Sequence, residues 1–149
     1  MGALYLIGGI ELLLLEVWTG PKGQVLSYVR PTGRCPAAHF LESVCPAEVR
    51  AKFEGTFAAV TKMGDRFHVH ERFTLLHGNG KPLWEFKQHG HRLYCLRIVT
   101  NSAGSVKVIL LTGWKKDKAG RGRNEEGEEI KKAQRLREEY VKRVTGGVK

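Results

Sequence analysis

Acidic residues are scarce in this chain. Asp and Glu number 15 against 25 Lys and Arg, which leaves a formal net charge of +10 at pH 7. Such an imbalance points to an anionic partner, of which nucleic acid is the commonest. Cysteine is sparse as well: Cys35, Cys45 and Cys95 are odd in number and include no close pair. That argues against both a disulfide framework and a zinc site. A membrane-spanning run is also missing. Ala3–Trp18 is very apolar, but it is interrupted by Glu11 and Glu16 and falls short of the roughly 20 residues a spanning helix needs. No Lys or Arg precedes it, so the positive region of an export signal is absent. These absences lead us to expect a cytoplasmic protein with no membrane partner. The apolar stretch is then an extra strand or helix packed on the domain, or translated sequence ahead of the true domain start. With 149 residues, one domain with a real core is expected. We divide the chain into an apolar extension (1–23), a domain (24–145) and a short tail (146–149).

Thr19–Gly23 breaks the first segment from the rest. Gln24–Val29 alternates as a strand, with Val25, Ser27 and Val29 set against Leu26 and Tyr28. Cys-Pro-Ala then occurs twice, at Cys35 and Cys45. Proline suits the first position of a helix, where its missing N–H costs nothing, so each copy opens a helix. The first is short, Pro36–Ser43; the second runs from Pro46 towards Lys62, with Val49, Phe53, Phe57 and Val60 on one stripe. Gly64 supplies a stop. Asp65–Leu76 alternates in period two and is a strand or an extended approach to one. His68 and His70 share a face there, but a metal site needs a third ligand and a closed geometry. We read them as solvent-facing and expect no metal and no cofactor.

The stretch from Pro82 to Lys116 organises everything else. Leu83–Lys87, His91–Thr100 and Val106–Thr112 are apolar-rich runs separated by Gln88-His89-Gly90 and Asn101-Ser102-Ala103-Gly104. Gly and Asn tolerate the backbone angles of tight turns, so the runs form an antiparallel meander. Its ends carry Lys87, Arg92, Lys115 and Lys116. A Lys/Arg/Gly-rich loop, Asp117–Arg123, leads to a final helix from Asn124 to Val144 with Ile130, Ala133, Leu136, Tyr140 and Val144 as its apolar stripe. Glu128 and Lys132 are placed to pair at i,i+4. The expected architecture is α+β: an antiparallel sheet meander with two N-terminal helices and a C-terminal helix, the helices on one face and the other face partly open.

In this order the segments resemble the RelE/HigB superfamily of type II toxin–antitoxin toxins, and a phage-derived group within it. PAAHFLESV from Pro36 is similar to the family's proline-led helix, and Pro82–Lys87 to its Leu-aromatic-Glu strand. GHRLYC from Gly90 is similar to its Gly-x-Arg strand start. VILLTGWKK from Val108 is similar to its hydrophobic run followed by Gly, an aromatic residue and Lys-Lys. The likeness extends from Val25 to Tyr140 and leaves residues 1–23 outside.

The resemblance implies a RelE/ParE-like fold and a metal-free ribonuclease that cleaves translated mRNA, often on the ribosome. It also implies a cognate antitoxin, frequently a helix-turn-helix protein, that covers the basic surface. In the implied chemistry the ribose 2′-oxygen attacks the neighbouring phosphate, and basic side chains stabilise the added negative charge. The resemblance assigns Arg92 to phosphate binding and Lys115 and Lys116 to phosphate contact and transition-state stabilisation. Lys87 joins them, and His91, with His89 beside it, is the histidine placed for acid–base work. Trp114 is assigned to stacking on a base, and Lys118 and Arg121 to RNA binding. Two features depart from the family pattern. The segment after the last strand has no tyrosine, and Glu85 stands where some members carry lysine. ParE-like relatives share the fold but poison DNA gyrase, and a basic nucleic-acid-binding module without activity is a further alternative.

Overall fold

The computed structural model describes residues 4–7, 11–67, 71–76, 82–116 and 122–146. Three strands come first: β1 (Leu4–Ile7), β2 (Glu11–Gly20) and β3 (Gly23–Tyr28). Helix α1 (Pro36–His39) follows, with proline in its first turn, and widens into one π-type turn over Phe40–Val44. Helix α2 (Ala47–Met63) ends at Gly64, whose φ of 69° stops the helix. A single 3-10 turn, Gly64–Arg66, leads to β4 (Phe73–Leu76), β5 (Leu83–Gln88), β6 (His91–Val99) and β7 (Val106–Lys115). Helix α3 (Gly122–Gly146) closes the described chain.

The protein is α+β, and all seven described strands belong to one sheet of order β1-β2-β3-β7-β6-β5-β4. Two expectations are corrected. The helices are not N-terminal, because strands precede them. The sheet is mixed rather than antiparallel: β4 to β7 pair antiparallel in succession, but β3 lies parallel to β7. The cause is the long crossover through α1, α2 and β4–β6, which returns the chain beside β3 in the same direction. The apolar N-terminal stretch is a hairpin, paired to β3 from Leu14↔Tyr28 to Gly20↔Gly23. Its Gly-Pro-Lys-Gly turn therefore joins the segment to the sheet, where the sequence alone suggested a break.

Both faces of the sheet are covered, which corrects the expectation of an open face. On one side Val49, Phe53, Phe57 and Val60 of α2 pack with Phe40 of the π turn on Val25, Phe86, Leu93, Cys95, Val108 and Leu110. Burial of each large side chain contributes about 1.5–3 kcal/mol. On the other side Ala133, Leu136 and Tyr140 of α3 pack on Leu14, Leu26, Tyr28, Tyr94, Ile109 and Leu111. The alternation of Val25 and Leu26, or of Leu110 and Leu111, thus feeds two cores instead of one. A polar latch fixes α3: Arg30 donates twice to Glu139, at 3.1 Å each, and Tyr28 donates to the same carboxylate at 2.8 Å. Arg143 donates to the Val29 carbonyl at 2.6 Å. The helix begins two residues before the expected Asn124 and pairs Glu128 with Lys131 at i,i+3, at 3.5 Å, where Lys132 was expected. No described helix is long and apolar enough to cross a membrane.

Candidate functional site

Strand register decides which basic residues meet. In the β5–β6 hairpin Glu85 faces Tyr94, Lys87 faces Arg92 and Gln88 faces His91. Across β6–β7, Arg92 faces Trp114 and His91 faces Lys115. Because Leu93 enters the core under α2 while Tyr94 enters the core under α3, alternation puts Glu85, Lys87, Arg92 and Trp114 on the α3 side. His91, Gln88 and Lys115 fall on the opposite side. The residues assigned from the resemblance are therefore divided between two faces at one end of the sheet.

On the α3 side Lys87 and Arg92 are half-buried and directly opposite each other. Like charges in that relation cost stability, a cost that the neighbouring Glu85 carboxylate offsets in part and that a bound anion would offset further. The Arg92 guanidinium donates to the His91 carbonyl at 3.1 Å, which fixes its direction at the strand start. Glu85 lies beside them and is buried. Burial pushes its carboxyl above the usual range, against the pull of Arg92 and Lys87, and Glu126 of α3 adds to the rise. Sequence reasoning gave Glu85 no role. The available signal was its position two residues before Lys87 on one strand, which places both side chains on one face.

Trp114 is a packing residue here. Its indole is buried, and Nε1 donates to the Tyr94 hydroxyl at 2.9 Å. It borders a cleft of about 390 Å³ shared with Glu125, Glu128 and Glu129, acidic neighbours that disfavour a nucleic-acid base there. Burial pushes the Tyr94 hydroxyl up, against the bond from Trp114. Lys115 and Lys116 are exposed at the end of β7, and the Lys116 N–H donates to the Gly90 carbonyl at 2.8 Å, pinning that end to the β5–β6 turn. His91 does not join Arg92. It is 4% exposed, packs against Phe40 and pairs through Nδ1 with the His89 carbonyl at 3.0 Å. The odd-even alternation of β6 turns it to the α1–α2 side, away from the proposed phosphate position. Lys118 and Arg121, like His68 and His70, lie outside the described residues.

Among the described residues no group of three or more His, Cys, Asp or Glu is arranged to hold a metal. A cleft of about 570 Å³ between β2 and α2 is lined by Glu16, Glu42 and Glu54 against the single cation Arg50. Its charge is wrong for a polyanion. No family model, curated protein or solved structure matches the chain.

Proposed function

We propose that the chain is a toxin-type, metal-independent endoribonuclease of the RelE/HigB kind that acts on translated mRNA in the cytoplasm. The observation that carries this reading is the cross-strand pair Lys87↔Arg92 with Glu85 on the same face. Two cations side by side fit a phosphate, and guanidinium can bond two of its oxygens at once. A carboxylate whose pKa is raised by burial is a better base near neutral pH than an exposed one. In this mechanism Glu85 takes the proton of the ribose 2′-hydroxyl and the 2′-oxygen attacks phosphorus. The bond to the 5′-oxygen breaks as a 2′,3′-cyclic phosphate forms. Lys87 and Arg92 stabilise the added charge, Lys115 and Lys116 hold the strand, and an ammonium at this strand end protonates the departing 5′-oxygen. The RelE/ParE-like fold belongs to the same reading. The order from β3 onward supports it: a strand, two helices, four successive antiparallel strands and a helix, with β1 and β2 as an addition. The partners are mRNA, the ribosome and an antitoxin, in many such systems a helix-turn-helix protein, that neutralises the basic face.

The test is mapping of mRNA 5′ ends by primer extension minutes after induction, beside Arg92→Ala and Glu85→Gln. New ends inside translated codons are expected, reduced about 10²–10³-fold without Arg92 and about 10²–10⁴-fold without the base. Unchanged cleavage in either variant removes that residue from the mechanism. Intact mRNA with arrested growth moves the reading to a gyrase-type protein target. Intact mRNA with normal growth leaves an inactive nucleic-acid-binding module.

A further inference from the structure

We propose that the cleft between α2 and the β5–β6 turn, lined by Lys52, Arg72, Gln88 and His89, binds backbone phosphates of single-stranded RNA beside the cleaved step. This rests on the ribonuclease reading for the identity of the polyanion. The cleft holds about 500 Å³, and Gly55 and Thr56 of α2 complete its wall. Gly55 stands within a helix, where glycine costs about 1 kcal/mol relative to alanine. A Cβ there would meet nothing within 4 Å, so no described packing contact requires it, and its absence keeps the helix wall low. Among the described residues no acidic side chain lines the cleft.

The turn itself points to a ligand. His89 and Gly90 have φ of 45° and 78°, the positive pair of a two-residue hairpin turn whose first position favours Asn, Asp or Gly. Histidine enters that backbone less readily than these, and the turn carries its ring into the lining of the cleft. The His89 ring lies 2.6 Å from Lys52 Nζ through Nε2. The two side chains therefore meet in the lining of the cleft and present adjacent nitrogen donors to it. The Arg72 carbonyl accepts from the Lys87 N–H at 2.9 Å, so its backbone is tied to the same strand as Gln88. Lys87 and Gln88 are consecutive, and one faces Arg92 while the other faces this cleft. A strand of RNA crossing the turn would place one phosphate at Lys87 and Arg92 and its neighbours in the cleft.

The experiment measures fluorescence anisotropy of the full chain with a labelled oligouridine bearing 2′-O-methyl sugars, which cannot be cleaved, over a range of salt. K52Q/R72Q and H89N are compared with R92A. The cleft predicts about tenfold weaker binding for K52Q/R72Q near 0.1 M salt and a log–log salt slope shallower by about 1.4, from two phosphate contacts at about 0.7 each. H89N relieves the turn, so it should keep or raise Tm while weakening RNA binding, which separates recognition from folding. Unchanged affinity and slope in both cleft variants overturn the site, as does failure of the unaltered chain to bind the oligomer. Inorganic phosphate shifting the His89 ring NMR signals while RNA binding ignores the cleft variants also overturns it, leaving a small-anion site. Cleft-dependent RNA binding without mRNA cleavage keeps the site and rejects the nuclease. Cleavage with cleft-independent binding does the reverse.

Discussion

Gly113 shows how one residue links the motif to the fold. It opens the Gly-Trp-Lys-Lys end of β7, and a Cβ there would overlap the ring of Phe40. Phe40 is buried in the π turn that follows α1, so the ring has little room to yield. Two segments far apart in sequence thus require each other. Gly113→Ala should destabilise by ~1–3 kcal/mol, the usual cost of overpacking a core, read as a lower urea midpoint with unchanged slope. An unchanged midpoint would mean that the ring moves freely. Glu85 makes the opposite kind of statement. Burial costs its charge, and the half-buried Lys87 and Arg92 beside it offset that cost only in part, since its pKa is still raised.

At the scale of elements, α3 packs on the sheet face that carries Glu85 and Arg92. Its C-terminal half is latched by Arg30, Tyr28 and Arg143, while Glu125, Glu128 and Glu129 in its first turns flank Trp114. The latch is sensitive to acid. The bond from Arg30 holds the Glu139 carboxyl below the usual carboxylate range; burial opposes this, and the Tyr28 hydroxyl helps. A lowered folded-state pKa means stabilisation that is present above the unfolded carboxylate value of about 4.3 and is lost as pH falls through the folded value. Tm should therefore drop on acidification below about pH 4.3, and Glu139→Gln should lower Tm at neutral pH while flattening that drop. Equal pH profiles for the two proteins would remove the latch from the account.

For the whole molecule, the hairpin of β1 and β2 matters more than its position suggests. Leu13 and Leu14 are buried in the core under α3, and Val17 and Trp18 pack against the core under α2. Removing residues 1–22 leaves β3 as an edge with unpaired backbone groups, a template for association. It also forfeits roughly 3–6 kcal/mol from Leu13 and Leu14 alone. The shortened chain should aggregate, or unfold at a clearly lower urea concentration, in sedimentation and denaturation experiments. A fully stable monomer would show that residues 24–145 stand alone, as the division by composition supposed.

Local patterns fixed the local elements. The stripe Val49–Phe53–Phe57–Val60, the Pro-led helix starts, the turns at His89-Gly90 and Asn101–Gly104 and the final amphipathic helix were all legible, because each is set by spacing or by a residue with special backbone geometry. The cluster of Lys87 and Arg92 was legible in part, since both were read at the ends of the meander, but their register was not, because β5 runs on to Gln88 and the turn is two residues rather than three. Three features were not. The parallel return of β7 beside β3, the hairpin that extends the sheet and the covering of its second face depend on contacts between distant segments. Local alternation reads the same whether one face or two are buried. His91 shows the consequence: its type and position suggested acid–base work, yet the face of β6 on which it lies was decided only when α1 and α2 settled against that side.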